Sequence, residues 1–159
     1  GESVSRIRVL LVDDNDDFLD GLTAWLAGDR RLQLAGKAHS GRSAVDQVER
    51  LHPDLVLMDA ASPDMNGFEA TRRIKSRPGA PQIVLLTFHE SNAARMEAWA
   101  AGADGFVSKA GIGEKLMPVV RELVQNRREA SAARLSKQSK KDVTTFSTEK
   151  PGPTPDLTK

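Results

Sequence analysis

The sequence predicts an α/β protein: a doubly wound five-stranded parallel sheet with five helices. Three observations predict it. Five short apolar runs rich in β-branched residues recur along the chain, and they are near-continuous rather than alternating, as in strands buried on both faces. Segments of helical length and 3.6-residue period separate them. The connections are short, and strand–helix alternation with short connections builds a parallel sheet covered on both sides.

The first run, Ile7–Val12, reads Ile-Arg-Val-Leu-Leu-Val, and the next helix spans 17–27, where Phe18, Leu22, Trp25 and Leu26 share one face. A second strand is expected at Leu32–Ala38 and a second helix at 42–51, with Ala44, Val45, Val48 and Leu51 on its apolar side. The third, fourth and fifth strands fall at 54–60, 82–88 and Gly105–Ser108, and the remaining helices at 68–76, Asn92–Ala101 and 114–128. Gly28, Gly79 and Gly102 lie just beyond helix ends, where a left-handed residue costs least.

The chain has 159 residues with 39% apolar content, enough for one domain with a sizeable core. It has no cysteine, which excludes disulfides, zinc–thiolate sites, iron–sulfur clusters and cysteine nucleophiles. No apolar run approaches the roughly 20 residues that cross a bilayer, and residues 1–6 lack the apolar core of a secretory signal. A cytoplasmic protein without membrane contact is expected. The net charge of +1 hides an asymmetry: residues 127–159 carry 8 Lys/Arg against 4 Asp/Glu, so the remainder carries 15 against 18. An acidic body therefore precedes a basic tail.

In a parallel sheet, ligands bind beyond the carboxyl ends of the strands. There the sequence places Asp13 and Asp14 after the first strand, Asp59 after the third, Thr87 after the fourth and Lys109 after the fifth. Clustered carboxylates repel and raise one another's pKa unless a cation offsets them. An oxygen-rich set of this kind suits a hard divalent ion such as Mg²⁺. A metal beside Asp59, with a lysine and a hydroxyl to hold phosphoryl oxygens, is the equipment for phosphoryl transfer to a carboxylate. Taken singly, each residue has an ordinary explanation: Asp13 and Asp14 as helix N-terminal acids, Lys109 as a solvated side chain, Thr87 as a strand residue. The convergence at four strand ends favours a site. His39, His52 and His89 share no metal-ligand spacing, and Trp25 and Trp99 fall in helical periods as packing residues.

Val12-Asp13-Asp14-Asn15, Leu57-Met58-Asp59, Pro63-Asp64-Met65-Asn66-Gly67, Leu86-Thr87 and the segment from Ala101 to Lys109 occur in this order. Together they resemble the receiver domain of two-component response regulators, the CheY-like (flavodoxin-like) fold, over roughly residues 6–126. The resemblance implies that Asp59 is the phosphoacceptor. It implies that Asp13, Asp14, Asp59 and the backbone carbonyl of Ala61 hold Mg²⁺, and that Thr87 and Lys109 bind phosphoryl oxygens. Phe106 is then the switch aromatic that packs inward when Thr87 moves, reshaping the surface of the fourth helix, fifth strand and fifth helix; in sequence, a core aromatic looks the same. The implied partners are a sensor histidine kinase and a second copy in a homodimer. The implied activity is that of a phosphoacceptor, with at most self-phosphorylation and self-dephosphorylation.

Three positions depart from the family pattern. Ala110 follows Lys109 where many receivers have a proline, so the 109–110 bond is expected either trans with a shifted loop or strained. Phe88 follows Thr87 where a small residue is usual, and it is expected to slow phosphoryl entry and hydrolysis. Ala61 and His89, two residues after Asp59 and Thr87, flank the path of an attacking water.

Residues 6–128 are expected to form the receiver domain, and 129–159, with three Pro and few apolar residues, a flexible linker, the last helix reaching at most through 130–135. Details such as the segment from His52 to Asp59 look closest to the branch with a LuxR-type helix-turn-helix output. The ending Leu157-Thr158-Lys159 suggests a chain cut where such a domain would begin, so DNA would be reached only through an output domain outside this chain. The alternatives are a stand-alone receiver acting through protein contacts, a receiver-like interaction domain that is not phosphorylated, and a haloacid-dehalogenase-type phosphohydrolase. The last wants its nucleophile after strand 1 with a second Asp two residues on, and position 15 is Asn.

Overall fold

The computed structural model describes residues 6–143, with side chains described through Lys137. The elements run β1 (Ile7–Val12), α1 (Asp16–Ala27), β2 (Leu32–Ala38), α2 (Gly41–Leu51), β3 (Leu55–Asp59), α3 (Gly67–Lys75), β4 (Gln82–Thr87), α4 (Asn92–Ala101), β5 (Gly105–Ser108) and α5 (Ile112–Val143). The strands form one five-stranded sheet in the order β2-β1-β3-β4-β5, and every neighbouring pair is parallel. This is the doubly wound α/β fold that the sequence predicts. The chain divides into two units between Leu123 and Val124, and the sheet and the site lie in the first.

The central strands show why their sequences do not alternate. Leu10, Leu11, Val56, Leu57, Ile83, Val84, Leu85 and Leu86 are all fully buried, because helices cover both faces. Leu10, Val12, Val56, Met58, Ile83 and Leu85 join Ala44 of α2, Ala70 and Ile74 of α3, and Ala98 of α4 in one core cluster. By the two-residue period of a strand, Leu11, Leu57, Val84 and Leu86 face the other way. Leu19 and Leu22 of α1 and Leu116 and Val120 of α5 are buried as well. The edge strand β2 carries Gln33 and Lys37 at its exposed positions.

Four helices open on side-chain caps. The oxygens of Asn15, Ser40, Asn66 and Ser91 accept the backbone N–H of Phe18, Ser43, Glu69 and Ala94 at 2.9–3.1 Å, satisfying donors that a helix start leaves unpaired. The caps start α1, α2 and α3 one residue earlier than periodicity alone indicates. At the other ends, Gly102 is left-handed (φ 98°) and so is Gly79 beyond α3 (φ 73°), as expected, but Gly28 caps α1 in the right-handed region. The α2 terminus uses His52 at φ 49°. Arg8 supports that turn by donating to the carbonyls of Leu51 (2.6 Å) and His52 (2.9 Å).

One expectation needs correction. α5 extends to Val143, well beyond residue 128. Residues 129–143 hold three Ala and three Lys, with one each of Glu, Arg, Leu and Gln, residues that propagate a helix on intrinsic preference. Poverty in apolar residues argues against a separate core, and it does not argue against helix. The stretch 144–159, assigned above to the flexible tail, lies outside the described residues.

Two glycines set a contrast in packing. A Cβ on Gly67 would lie 2.5 Å from the Asp59 carbonyl oxygen and 2.9 Å from Ala60 Cα, whereas one on Gly21 in α1 would meet nothing within 4 Å. Backbone cannot yield as a flexible side chain does, and overpacking typically costs about 1–3 kcal/mol. Gly67→Ala is therefore expected to destabilise the fold by about 2 kcal/mol. Gly21→Ala is expected to stabilise it by roughly 0.5–1 kcal/mol, through lower unfolded-state entropy in a helix interior. Urea denaturation followed by circular dichroism measures both.

Candidate functional site

The topology creates the site. From β1 the chain turns to β2 on one side and then crosses to β3 on the other, so the carboxyl ends of β1 and β3 flank the switch point where open α/β sheets bind ligands. Register brings the functional side chains level. Val12 pairs with Met58, which sets Asp13 beside Asp59, and Asp59 pairs with Leu86, one residue before Thr87. Thr87 pairs with Ser108, one residue before Lys109, and the Lys109 N–H donates to the Thr87 carbonyl at 2.7 Å.

These ends open on a cleft of about 490 Å³, lined among others by Asp13, Asp14, Asp59, Ala61, Thr87, Phe88, His89 and Lys109. Carboxylate oxygens of Asp13, Asp14 and Asp59 lie within 4.8 Å of one another, with Asp13 and Asp59 buried and Asp14 exposed. Lys109 Nζ donates to Asp13 Oδ2 at 2.7 Å and lies 3.4 Å from Asp59 Oδ1. The Ala61 N–H donates to Asp59 Oδ1 at 3.2 Å, and the Asn15 N–H to Asp13 Oδ1 at 2.9 Å. The Thr87 hydroxyl oxygen accepts the His89 N–H at 3.0 Å. The structure thus brings every sequence-predicted polar site residue to one edge of the sheet.

Burial raises the Asp59 carboxyl above its ordinary range; the Ala61 N–H and the Lys109 ammonium oppose that shift, and the Asp13 carboxylate adds to it. An excess of negative charge with restricted solvent is the condition in which oxygen ligands favour a cation. The residues present can hold a metal ion.

The unusual positions now have places. The 109–110 peptide is trans, since no cis bond occurs among the described residues. Gly111 takes φ 70° and the Ile112 N–H returns to the Lys109 carbonyl at 3.2 Å, so a tight turn replaces a proline-set one. Phe88 is 68% exposed on the rim of the cleft, with its ring centroid 4.9 Å from Lys109 Nζ. Phe106 is already buried, and Arg95 of α4 lies over its ring at 5.3 Å. Arg95 also pairs with Glu90 in the loop after β4.

Two contributors escaped sequence reasoning. Phe18 reads as a packing residue of α1, yet its ring centroid lies 4.2 Å from Lys109 Nζ. The available signal was its place in the first helical turn after Asn15, which faces the strand ends. Arg95 gave no signal: its pair with Glu90 spans only five residues, and its place over Phe106 arises only when α4 packs beside β5.

Residues 9–121 match the family described as the response regulator receiver domain. The chain is 38% identical to response regulator GacA of Pseudomonas viridiflava over 71% of this chain and 53% of that protein. It is 32% identical to response regulator UvrY of Escherichia coli (strain K12) over 77% of this chain and 56% of that protein. The chain thus spans about half the length of these curated relatives. Among solved structures, a LuxR-family two-component response regulator from Aurantimonas sp. SI85-9A1 superposes with a TM-score of 0.73 at 29% identity, covering 77% of this chain and 87% of that one. The strand-end carboxylates, the threonine and the lysine therefore stand within a recognised fold, and the chain belongs to the response regulator receiver domain family.

Proposed function

We propose that this chain accepts a phosphoryl group on Asp59 from the phosphohistidine of a sensor histidine kinase and relays that event as a change of surface. The observation that carries the reading is the convergence of Asp13, Asp14 and Asp59 oxygens within 4.8 Å, with Lys109 Nζ reaching two of the three. An Asp59 oxygen forms the new bond to phosphorus, the phosphorus–nitrogen bond breaks, and the electron pair returns to the donor imidazole. The Ala61 N–H and Lys109 Nζ both meet the carboxylate at Oδ1, and Oδ2 is the oxygen for attack.

The donor set fits Mg²⁺, a hard ion that takes one or two carboxylates and keeps several waters. Asp13, Asp14, Asp59 and the Ala61 carbonyl would hold it, and when bound it supplies charge neutralisation between Asp59 and the phosphoryl oxygens. Lys109 donates to a phosphoryl oxygen from the side of β5. The Thr87 hydroxyl, which accepts from His89, has its own proton to donate to another. Catalysis of this kind is positioning and electrostatics rather than covalent participation by further groups. The protein is a phosphoacceptor whose own chemistry is confined to gaining and losing that group.

The added phosphoryl brings a charge of about −1.5 to −2 and three acceptor oxygens. Thr87 follows them and draws on the His89 N–H. Phe106 already lies in the core, so the change reaches the α4–β5–α5 surface through the loop 88–90 and Arg95 rather than by burial of an exposed ring. Residues 6–128 act as the receiver and 129–159 as its linker. The reading further includes a cytoplasmic location, a homodimer as the active assembly and a transcriptional output outside this chain as the route to DNA.

Incubation with acetyl phosphate and Mg²⁺ is expected to give a labile adduct of one HPO₃ by intact-mass spectrometry, absent in Asp59→Asn. An unmodified wild type would instead favour an interaction domain, and turnover of phosphate esters a hydrolase. The same variant tests the electrostatics. In Mg²⁺-free buffer near neutral pH, Asp59→Asn is expected to raise Tm by a few degrees, because the buried carboxylate then carries no charge. A raised folded-state pKa means that wild type is least penalised below the unfolded pKa and loses stability as pH rises through the folded value. The advantage of the variant should therefore shrink as pH falls through the carboxylate range. Finally, Phe88→Ala is expected to accelerate both adduct formation and its hydrolysis several-fold, read by stopped-flow fluorescence and phosphate release. Unchanged rates would remove the gate from the rim.

A further inference from the structure

Lys109 has a demanding position. Its side chain is 4% exposed, and its ammonium sits among groups from four separate segments: Asp13 after β1, Asp59 at the end of β3, Phe18 in α1 and Phe88 after β4. An ammonium withdrawn from water needs its charge answered by other groups. Two of these partners are carboxylates, and two are ring faces whose negative quadrupole attracts a cation.

The two rings are not equivalent. Phe88 stands on an exposed loop, whereas Phe18 is fixed by the helix. Its own N–H donates to the Asn15 side chain at 2.9 Å, and the Asn15 N–H donates to Asp13 Oδ1 at 2.9 Å. One cap therefore fixes both the carboxylate and the ring that meet Lys109. Phe18 is half-buried beside Leu22, Trp25, Ile112 and Leu116, with which it lines a small cleft.

The carboxylates and the rings also differ in what can compete for them. A hard cation at the Asp13, Asp14 and Asp59 cluster draws on oxygen and has no use for a ring face. The 2.7 Å contact of Lys109 is to Asp13, a member of that cluster. A cation there competes with Lys109 for this partner and leaves the Phe18 face untouched.

We infer that Phe18 is a positioning residue for phosphoryl acceptance: its ring face holds the Lys109 ammonium toward Asp59 when a cation takes up Asp13. The inference rests on the reading of Asp59 as phosphoacceptor and assigns that reaction a residue outside the strand-end set. Phe18 acts on phosphoryl oxygens only through Lys109.

The test compares Phe18→Leu, which keeps apolar bulk and removes the ring, with Phe18→Tyr, which keeps the face. In metal-free protein, carbon–proton NMR of the Lys109 side chain reads the stacking directly as an upfield ring-current displacement. The displacement is expected in wild type and Phe18→Tyr and is expected to collapse in Phe18→Leu. Beryllofluoride, a phosphoryl mimic, is then titrated with Mg²⁺ present. Phe18→Leu should bind it roughly fivefold to thirtyfold more weakly, the range that cation–π contacts span from exposed to desolvated sites, with Phe18→Tyr near wild type. Equal behaviour of the Leu and Tyr variants in either measurement overturns the inference, since plain packing would not separate them. A wild type that takes up no beryllofluoride overturns the phosphoacceptor reading along with it. A wild type that binds, with Phe18→Leu binding equally well, overturns the role of Phe18 alone.

Discussion

Three carboxylates share one end of the sheet with a single buried ammonium, and the rest of the first unit is arranged around that imbalance. Lys109 answers Asp13 at 2.7 Å and Asp59 at 3.4 Å, while Asp14 keeps its solvent. The cluster still carries more negative than positive charge. Buried ion pairs contribute little net stability, and removing one partner leaves the other charge uncompensated. The raised Asp59 carboxyl is the signature of that cost. The apolar strands offset it: the central three strands are buried almost completely on both faces, so the sheet can carry an unfavourable edge.

The same edge depends on backbone geometry that no charge supplies. Gly67 approaches the Asp59 carbonyl closely enough that a Cβ would collide with it, and the Gly67 N–H donates to the Ala60 carbonyl at 2.8 Å. The segment after β3 thus folds tightly back and delivers Ala61 to the rim, where its N–H meets Asp59 Oδ1. On the opposite side, Gly111 lets the chain after Lys109 turn directly into α5. A trans peptide at Ala110 and a left-handed glycine accomplish here what a proline does elsewhere, so a departure from the family pattern leaves the lysine in the cluster.

Much of this was legible in the sequence because it rests on local rules. Strand bounds follow from continuous apolar runs and agree with the structure to within a residue, since burial on both faces leaves no room for polar alternation. The convergence of Asp13, Asp59, Thr87 and Lys109 was legible because parallel topology carries every strand end to one side. Starts of helices were less so: Asn15, Ser40 and Asn66 cap their helices through side chains, and periodicity begins to count only after the cap. The reach of α5 beyond 135 was hidden because helix propensity and tertiary burial are separate quantities, and most residues from 129 to 137 are exposed yet helical. Phe18 and Arg95 were illegible in their working roles, because a ring facing an ammonium and a guanidinium over a ring have no sequence period.

The contacts around Thr87 form a continuous path from the carboxylate edge to α4. Its hydroxyl oxygen holds the His89 N–H; the next residue, Glu90, pairs with Arg95, and Arg95 covers Phe106. The Thr87–His89 link is part-buried and the Glu90–Arg95 pair is solvent-exposed, and residues 88–90 are themselves exposed. A segment of that kind sits at the low end of local stability. On the function proposed above, a displacement of Thr87 toward the cleft would be taken up by residues 88–90 rather than by β4, whose side chains are buried in the core. The Glu90–Arg95 ion pair would then pass it to α4, which bears Met96 and Trp99, both largely exposed. A buried sheet beside one exposed loop would thus give a charge added at Asp59, as proposed, a defined direction in which to act.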